Sequence, residues 1–482
     1  MPYDAAGQVV QIPLGPQSDP GKSPNAGTAL LENCYVEALE GGKVRYALYS
    51  GMGLRLFCAI GGLGSIRGVF ALGNLLYAVS GEVLYRITSV GGKTALGNVI
   101  GARPVIFTVN RKTPDPQITI TADQHVYTLT GTTLAEMTDP DLPAGVHSAT
   151  FLQGRTIYGI NDGRFFSSAV NDSTDIDALV FGEAEMSADN GVRVFTNGEE
   201  FWYFGSESLQ PFRGTGSDAS PFEPLQGAAS GKGSGLLSKH AVCLFDNAPT
   251  WVTDTCLVVR ASGYTPQRIS NSAVERDIQA TKDAGQAEDI TAFEFTREGH
   301  WFYVLCLPTA TWIYDASTRL WAKRTSYLNT RSRMKFLAQA FDKLIVGDAD
   351  GTNLYELTAD VHDENGEHLI TAVQSSILAG FPAGGFVHEV YVDCEMGLGD
   401  GGSDPHSADP QLILQYTKDG GHTWQGNRMR PLGEQGHYQG RVKYTRLGAF
   451  GPQGIAFRFS CSAPIRRAVL QAYARIEPKV AA

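Results

Sequence analysis

Long apolar runs, charged residues and paired cysteine motifs are all scarce in this chain of 482 residues. No stretch reaches the roughly 18 consecutive apolar residues that suggest a membrane-spanning helix. The most apolar region, "GVFALGNLLYAVSGEVLYRI", is interrupted by Asn74, Ser80 and Glu82. The opening "MPYDAAGQVVQIPLGPQ" has neither a basic start nor an apolar core, so a signal peptide is not expected. Charged residues make up 18% of the chain, below the usual quarter, and form no disordered block. The seven cysteines are scattered and CxxC is absent. That argues against a zinc site or a disulfide framework and fits buried, reduced thiols made in a cytoplasm.

Catalytic signatures are missing too. There is no GxSxG, no HExxH and no cysteine with an evident histidine partner. "GPQSDPGKS" (15–23) imitates a phosphate loop but has five residues between Gly15 and Gly21, and Pro24 follows Ser23. "SGKGSG" (230–235) reads as a flexible loop. "VHDENGEH" (361–368) and "GDADGTN" (347–353) gather acids and histidines at turns, without helical ligand spacing or a full calcium loop. Both read as solvated turns. No catalytic residue, metal or cofactor is expected.

Turns and alternation are abundant. The chain has 55 glycines. A unit recurs through its middle: an apolar strand, a turn of Gly, Asn or Asp, then a strand rich in Tyr, Phe or Trp. Copies include "IRGVFALGNLLYAVSGEVLYRI" (66–87), "VRVFTNGEEFWYFGSESLQPF" (192–212) and "KFLAQAFDKLIVGDADGTNLYEL" (335–357). Gly73-Asn74, Asn197-Gly198, Glu298-Gly299 and Asp350-Gly351 supply hairpin turns. From Ala149 onward the copies start every 43 to 51 residues, the period of propeller blades. No blade carries a tryptophan-aspartate or kelch signature. The fold class is therefore all-β: a β-propeller of six or seven blades, followed by a C-terminal β-sandwich-like domain with an Asp-box hairpin. Residues 61–370 form the propeller, with a helical insertion near 269–281 capped by Asn271 or Ser272. Residues 1–60 form an N-terminal segment that can close a blade, and residues 371–482 the sandwich.

The Asp-box is "QYTKDGGHTW" (415–424), with Thr417, Asp419, Gly421, Thr423 and Trp424 in the pattern. Its physics is local: a carboxylate accepting turn amides, glycines with unusual backbone angles, and an indole beneath the hairpin. Sialidases repeat the box once per blade, away from their chemistry, which needs an arginine cluster and a tyrosine nucleophile with a carboxylate partner. Here the box is single and lies outside the blades, with a partial echo at Ser187, Asp189 and Gly191. It reads as structural.

Charge is distributed unevenly. The net charge is −11, which disfavours a dedicated nucleic-acid binder. Residues 425–482 carry ten Lys/Arg against Glu434 and Glu477, so that end is +8 and the remainder −19. Arg428, Arg430, Arg441, Lys443, Arg446, Arg466 and Arg467 are a candidate basic patch facing a partner or DNA.

The chain resembles the tail nozzle of short-tailed phages, also called the packaged-DNA stabilisation protein or tail accessory factor. The resemblance is carried by "LENCYVEAL" (31–39), "YSGMGLRLF" (49–57), "MSADNGVRVFTNGEEFWYFGSESLQPFRGTG" (186–216), "RISNSAVERDI" (268–278), "TREGHWFYVLCLPTATWIYDASTRLW" (296–321) and "FRFSCSAPIRRAVLQAYARIE" (457–477). It implies a propeller protomer assembled into a homo-hexameric ring of the virion tail, put together in the host cytoplasm. Such a ring extends the portal–adaptor channel, anchors tailspikes or tail fibres, and is closed by a tail needle or plug. It retains genomic DNA and later lets it pass without sequence-specific binding. The alternative is a sialidase-like propeller glycosidase or polysaccharide depolymerase.

Overall fold

Alternation of apolar and polar residues over five to seven positions, broken by tight turns, folds the middle of the chain into seven antiparallel sheets of four strands. In the computed structural model, which describes residues 7–185, 187–378, 382–400 and 404–479, these sheets are consecutive in sequence. Blade 1 runs from Ile66 to Asn98, blade 2 from Val105 to Glu136, blade 3 from Val146 to Glu183 and blade 4 from Gly191 to Pro224. Blade 5 runs from Val242 to Arg268 and blade 6 from Thr291 to Arg324. Blade 7 takes three strands from Met334 to Thr358 and its fourth, Gly53–Ala59, from the other end of the chain.

Turn chemistry sets the registers. Arg297 pairs with His300 across Glu298-Gly299, whose φ values of +51° and +84° suit a two-residue hairpin with the twist of its strands. Just past that turn, His300 Nδ1 lies 2.8 Å from the Asp315 carboxylate, which also accepts from Ser317 N and Thr318 Oγ1.

The ring closes through its innermost strands. Met334–Ala340 of blade 7 packs on Ile66–Leu72 of blade 1. Between blades 4 and 5 the contact is aromatic, with Trp202 edge-on to Trp251 at 6.1 Å. Both indoles are fully buried, as are Trp312 and Trp321. A helix, Ser272–Asp283, joins blades 5 and 6, and Asn271 is its cap, accepting from Val274 N at 3.0 Å. Val274 and Ile278 are buried, and the Asp277 carboxylate accepts from the Trp312 indole at 3.0 Å. Among the described residues no helix is long and apolar enough to cross a membrane.

The N-terminal segment divides between the two folds. Only Gly53–Ala59 closes a blade, whereas Gln8–Ile12, Leu30–Glu32, Cys34–Ala38 and Tyr46–Ser50 enter the sandwich. One sandwich sheet has the order Cys34–Ala38, Tyr46–Ser50, Ala468–Pro478, Gly385–Cys394, Val442–Phe450. The other runs Leu30–Glu32, Thr371–Gln374, Ala456–Cys461, Gln411–Thr417, Gln425–Pro431. Val390, Leu414, Tyr444, Phe457 and Ala472 fill the space between them. Leu30–Glu32 also pairs in parallel with the outer strand of blade 6, Leu320–Arg324. The sandwich is thus sewn to the rim of the propeller by backbone hydrogen bonds, not hung on a linker.

Candidate functional site

The Asp-box turn uses up its own chemistry. One oxygen of Asp419 accepts from Thr417 Oγ1 at 2.7 Å and from the amides of His422 and Thr423 at 3.0 Å each, and the other from Thr423 Oγ1. Those bonds, the Thr423 hydroxyl first, hold the carboxyl well below the usual carboxylate range. Gly421 N donates to Thr417 Oγ1 at 3.0 Å, and Trp424 is half-buried beside the turn. Gly420 has φ +72°, and a Cβ there would lie 1.4 Å from Asn25 Oδ1, so the turn seats directly on the short helix Pro24–Ala26. The echo in blade 4 behaves alike: Asp189 accepts from Glu207 N, Ser208 N and Ser208 Oγ.

The seven cationic residues expected to form one patch separate into three settings. Arg428 and Arg430 stand on the edge strand Gln425–Pro431, and Arg441, Lys443 and Arg446 line the facing edge of the other sheet. Arg430 Nε donates to Lys443 O at 3.0 Å, and Arg428 reaches the carbonyls of Thr445 and Arg446. These guanidiniums satisfy an open sheet edge and bridge the two layers, which blunts strand addition there. Lys443 pairs with Glu389 at 2.6 Å. Arg446 and Arg441 remain exposed, with no ion pair among the described residues. Arg466 lies elsewhere, over the Tyr49 ring at 5.4 Å. Arg467 corrects the expectation outright: it is 5% exposed and donates to the Ala463 and Leu369 carbonyls. It stands just before the strand Ala468–Pro478 and turns into the seam, where it serves packing.

A cleft of about 320 Å³ lies where the sandwich meets blades 6 and 7, and it gathers Tyr35, Tyr49, Arg297, Arg324 and Arg466. Three arginines beside two tyrosines are the parts a sialidase-type mechanism calls for. Their partners give them other tasks. Arg324 donates to Glu364 Oε1 at 2.8 Å and to Met52 O at 2.8 Å. Arg466 covers Tyr49, and burial pushes the Tyr35 phenol up to about 12, opposite to the activation of a nucleophile. The Arg324–Glu364 pair is fully buried. It corrects the reading of 361–368 as a solvated turn: Glu364 anchors this hairpin to blade 6, and Glu367 pairs with Arg333 at 3.0 Å. Nothing local in the sequence marks Glu364, because its partner lies 40 residues earlier. In 347–353, Asp348 is buried and caps the turn through Asp350 N. Among the described residues no group of three His, Cys, Asp or Glu is placed to hold a metal ion.

The axis of the propeller is a cavity of about 520 Å³, walled by Phe70, Phe107, Phe195, Phe293, Phe295 and Phe336. His240 and Glu294 also face it; burial pushes the imidazole well below its ordinary value and the carboxyl above its own. The seven cysteines are unpaired thiols, and burial raises Cys34, Cys306 and Cys394 to about 12, which leaves them inert.

Two family models match the chain. One, described as bacteriophage P22 Gp10, beta-propeller, spans residues 11–362, and the other, bacteriophage P22 Gp10, beta-sandwich, spans residues 374–477. No curated protein matches in sequence. Among solved structures, the chain is similar to a streptogramin B lyase, at 9% identity and a TM-score of 0.43, covering 64% of this chain and 98% of that one. A virginiamycin B lyase from Staphylococcus aureus gives 10% identity and 0.43, covering 64% and 99%. The WD40 propeller domain of Doa1 gives 11% and 0.40, covering 64% and 97%. These likenesses carry no argument about function.

Proposed function

The chain belongs to the bacteriophage P22 Gp10 family, the tail nozzle and DNA-stabilisation proteins of short-tailed phages, and on that premise we propose that copies of it form the hub ring of the tail. The chain is a structural protein of a phage tail. Six copies enclose a lumen that continues the portal–adaptor channel, hold packaged DNA behind a needle or plug, and anchor tailspikes or fibres.

The observation that carries this reading is the match of both parts in order, propeller then sandwich, over nearly the whole chain. Two physical facts support it. The propeller axis is a small phenylalanine-walled cavity. A cavity of about 520 Å³ set among side chains of the inner strands leaves no bore for a duplex, so a conduit has to lie between copies. The net charge of −11 also suits a wall past which phosphates slide without sticking.

The test uses the full chain with isolated portal–adaptor complexes. Electron micrographs should show a ring added below the adaptor, and particles assembled without the chain should lose their DNA to added nuclease. Particles that keep DNA and carry spikes in its absence would sink the proposal.

A further inference from the structure

Resting on the ring reading above, we infer that the outer edge of blade 3 and the cationic edge of the sandwich are the two halves of one head-to-tail contact between copies of this chain.

The first half is the strand Asp172–Glu183, outermost in blade 3 and unpaired on its outer side among the described residues. Its register with the preceding strand jumps from Phe166↔Phe181 to Ser168↔Ile176, so residues 177–180 bulge away from the sheet. The bulge carries Leu179, 85% exposed, next to Phe181, 50% exposed. Two neighbouring exposed apolar side chains on an unpaired edge offer a contact surface. The apolar knob is flanked mainly by acid, with Arg164 over the Phe181 ring at 6.0 Å on its inner side. Residues 170–185 contain five carboxylates and no Lys or Arg. Asp172 is paired with Lys112 at 2.6 Å and Glu183 stands opposite Arg164 in the sheet, whereas Asp175 and Glu185 have no ion pair among the described residues.

The second half has the opposite charge and its own apolar centre. Arg428 and Arg430 donate to neutral backbone carbonyls, Arg446 is exposed without an ion pair among the described residues, and Arg441 is exposed beside Asp393. Among them stand Met429, 55% exposed, and Tyr438, 71% exposed. Between 425 and 446 the only acid is Glu434. Apolar knobs meeting inside a rim of opposed charges are the general anatomy of a specific contact.

Topology separates the two halves. The sandwich is sewn to blade 6 through Leu30–Glu32 and packs against blade 7. In a ring of seven, blade 3 is three blades away from both, at the far rim. No copy can satisfy its own edges. A contact from the far rim of one copy to the sandwich of the next leaves one free edge of each kind at every step, and it propagates until the ring closes.

The experiment is charge reversal and rescue in the full chain, read by sedimentation and by micrographs on portal–adaptor complexes. Asp175→Lys with Glu183→Lys should weaken assembly about 10-fold or more, as should Arg441→Glu with Arg446→Glu, and the fourfold variant should regain most of the loss. Leu179→Cys combined with Met429→Cys should give a cross-linked ladder with a bismaleimide, and neither alone should. Reversal variants that keep their thermal midpoint and assemble like the original, or a loss without rescue, overturn this pairing while leaving the ring reading intact. If the unaltered chain never forms a ring, on the connector or alone, the ring reading fails and this contact with it.

Discussion

His147 shows how a single buried group writes pH dependence into the fold. It is 7% exposed in blade 3, with Nδ1 2.8 Å from Ser148 Oγ, and burial pushes its imidazole down to about 3. The unfolded side chain titrates near 6.5, so between those values the unfolded chain takes up a proton that the folded one refuses. Stability therefore falls as pH drops through that window, by at most about 1.4 kcal/mol per unit for this group. Urea midpoints between pH 4 and 6 should show a shallower slope in His147→Gln than in the original chain. That window avoids His300, whose hydrogen bond to Asp315 raises its value; its contribution is complete below about 6.5 and is lost only as pH rises beyond. Arg324 supplies a second test at this scale. Arg324→Met leaves the buried Glu364 carboxylate only the more distant Arg333, at 3.9 Å, and should cost about 3–5 kcal/mol by urea unfolding. Adding Glu364→Leu should recover much of that, because the poorly compensated buried charge is then gone.

At the scale of elements, the strand Gly53–Ala59 decides whether the propeller is a ring or an open arc. Leu54 is 1% exposed and packs with Phe293, Phe302 and Leu357 across blades 6 and 7. Leu54→Ala should lower stability by about 2–5 kcal/mol. The loss should be local as well as global. Hydrogen exchange should speed up along 53–59 and along its partner Asn353–Thr358 before it does so in blades 3 and 4. Uniform acceleration across all seven blades would show that closure is not a separable step.

The whole molecule is acidic, although cations outnumber acids over residues 425–482. Several of those cations already bridge backbone carbonyls, and the rest of the chain carries −19. At about 0.15 M salt the isolated chain should not retard a labelled duplex, since phosphate contacts supply nearly all sequence-independent binding and few are on offer. Tight binding that survives high salt would contradict a role in which DNA slides past.

Period-two alternation, hairpin glycines and the Asp-box were legible in the residues because the forces behind them are local: the pleat, positive φ at a turn, one carboxylate collecting the amides of the next few residues. The same holds for Asn271 as a helix cap. Partners distant along the chain were not legible. Strands from Gln8 to Ser50 leave the propeller and join a sandwich whose other members begin beyond residue 370. Arg467 turns inward while its neighbour Arg466 faces out, and Glu364 finds Arg324 in the core. Each of those outcomes depends on which surfaces pack together, and a string of residues carries that information only through the completed fold.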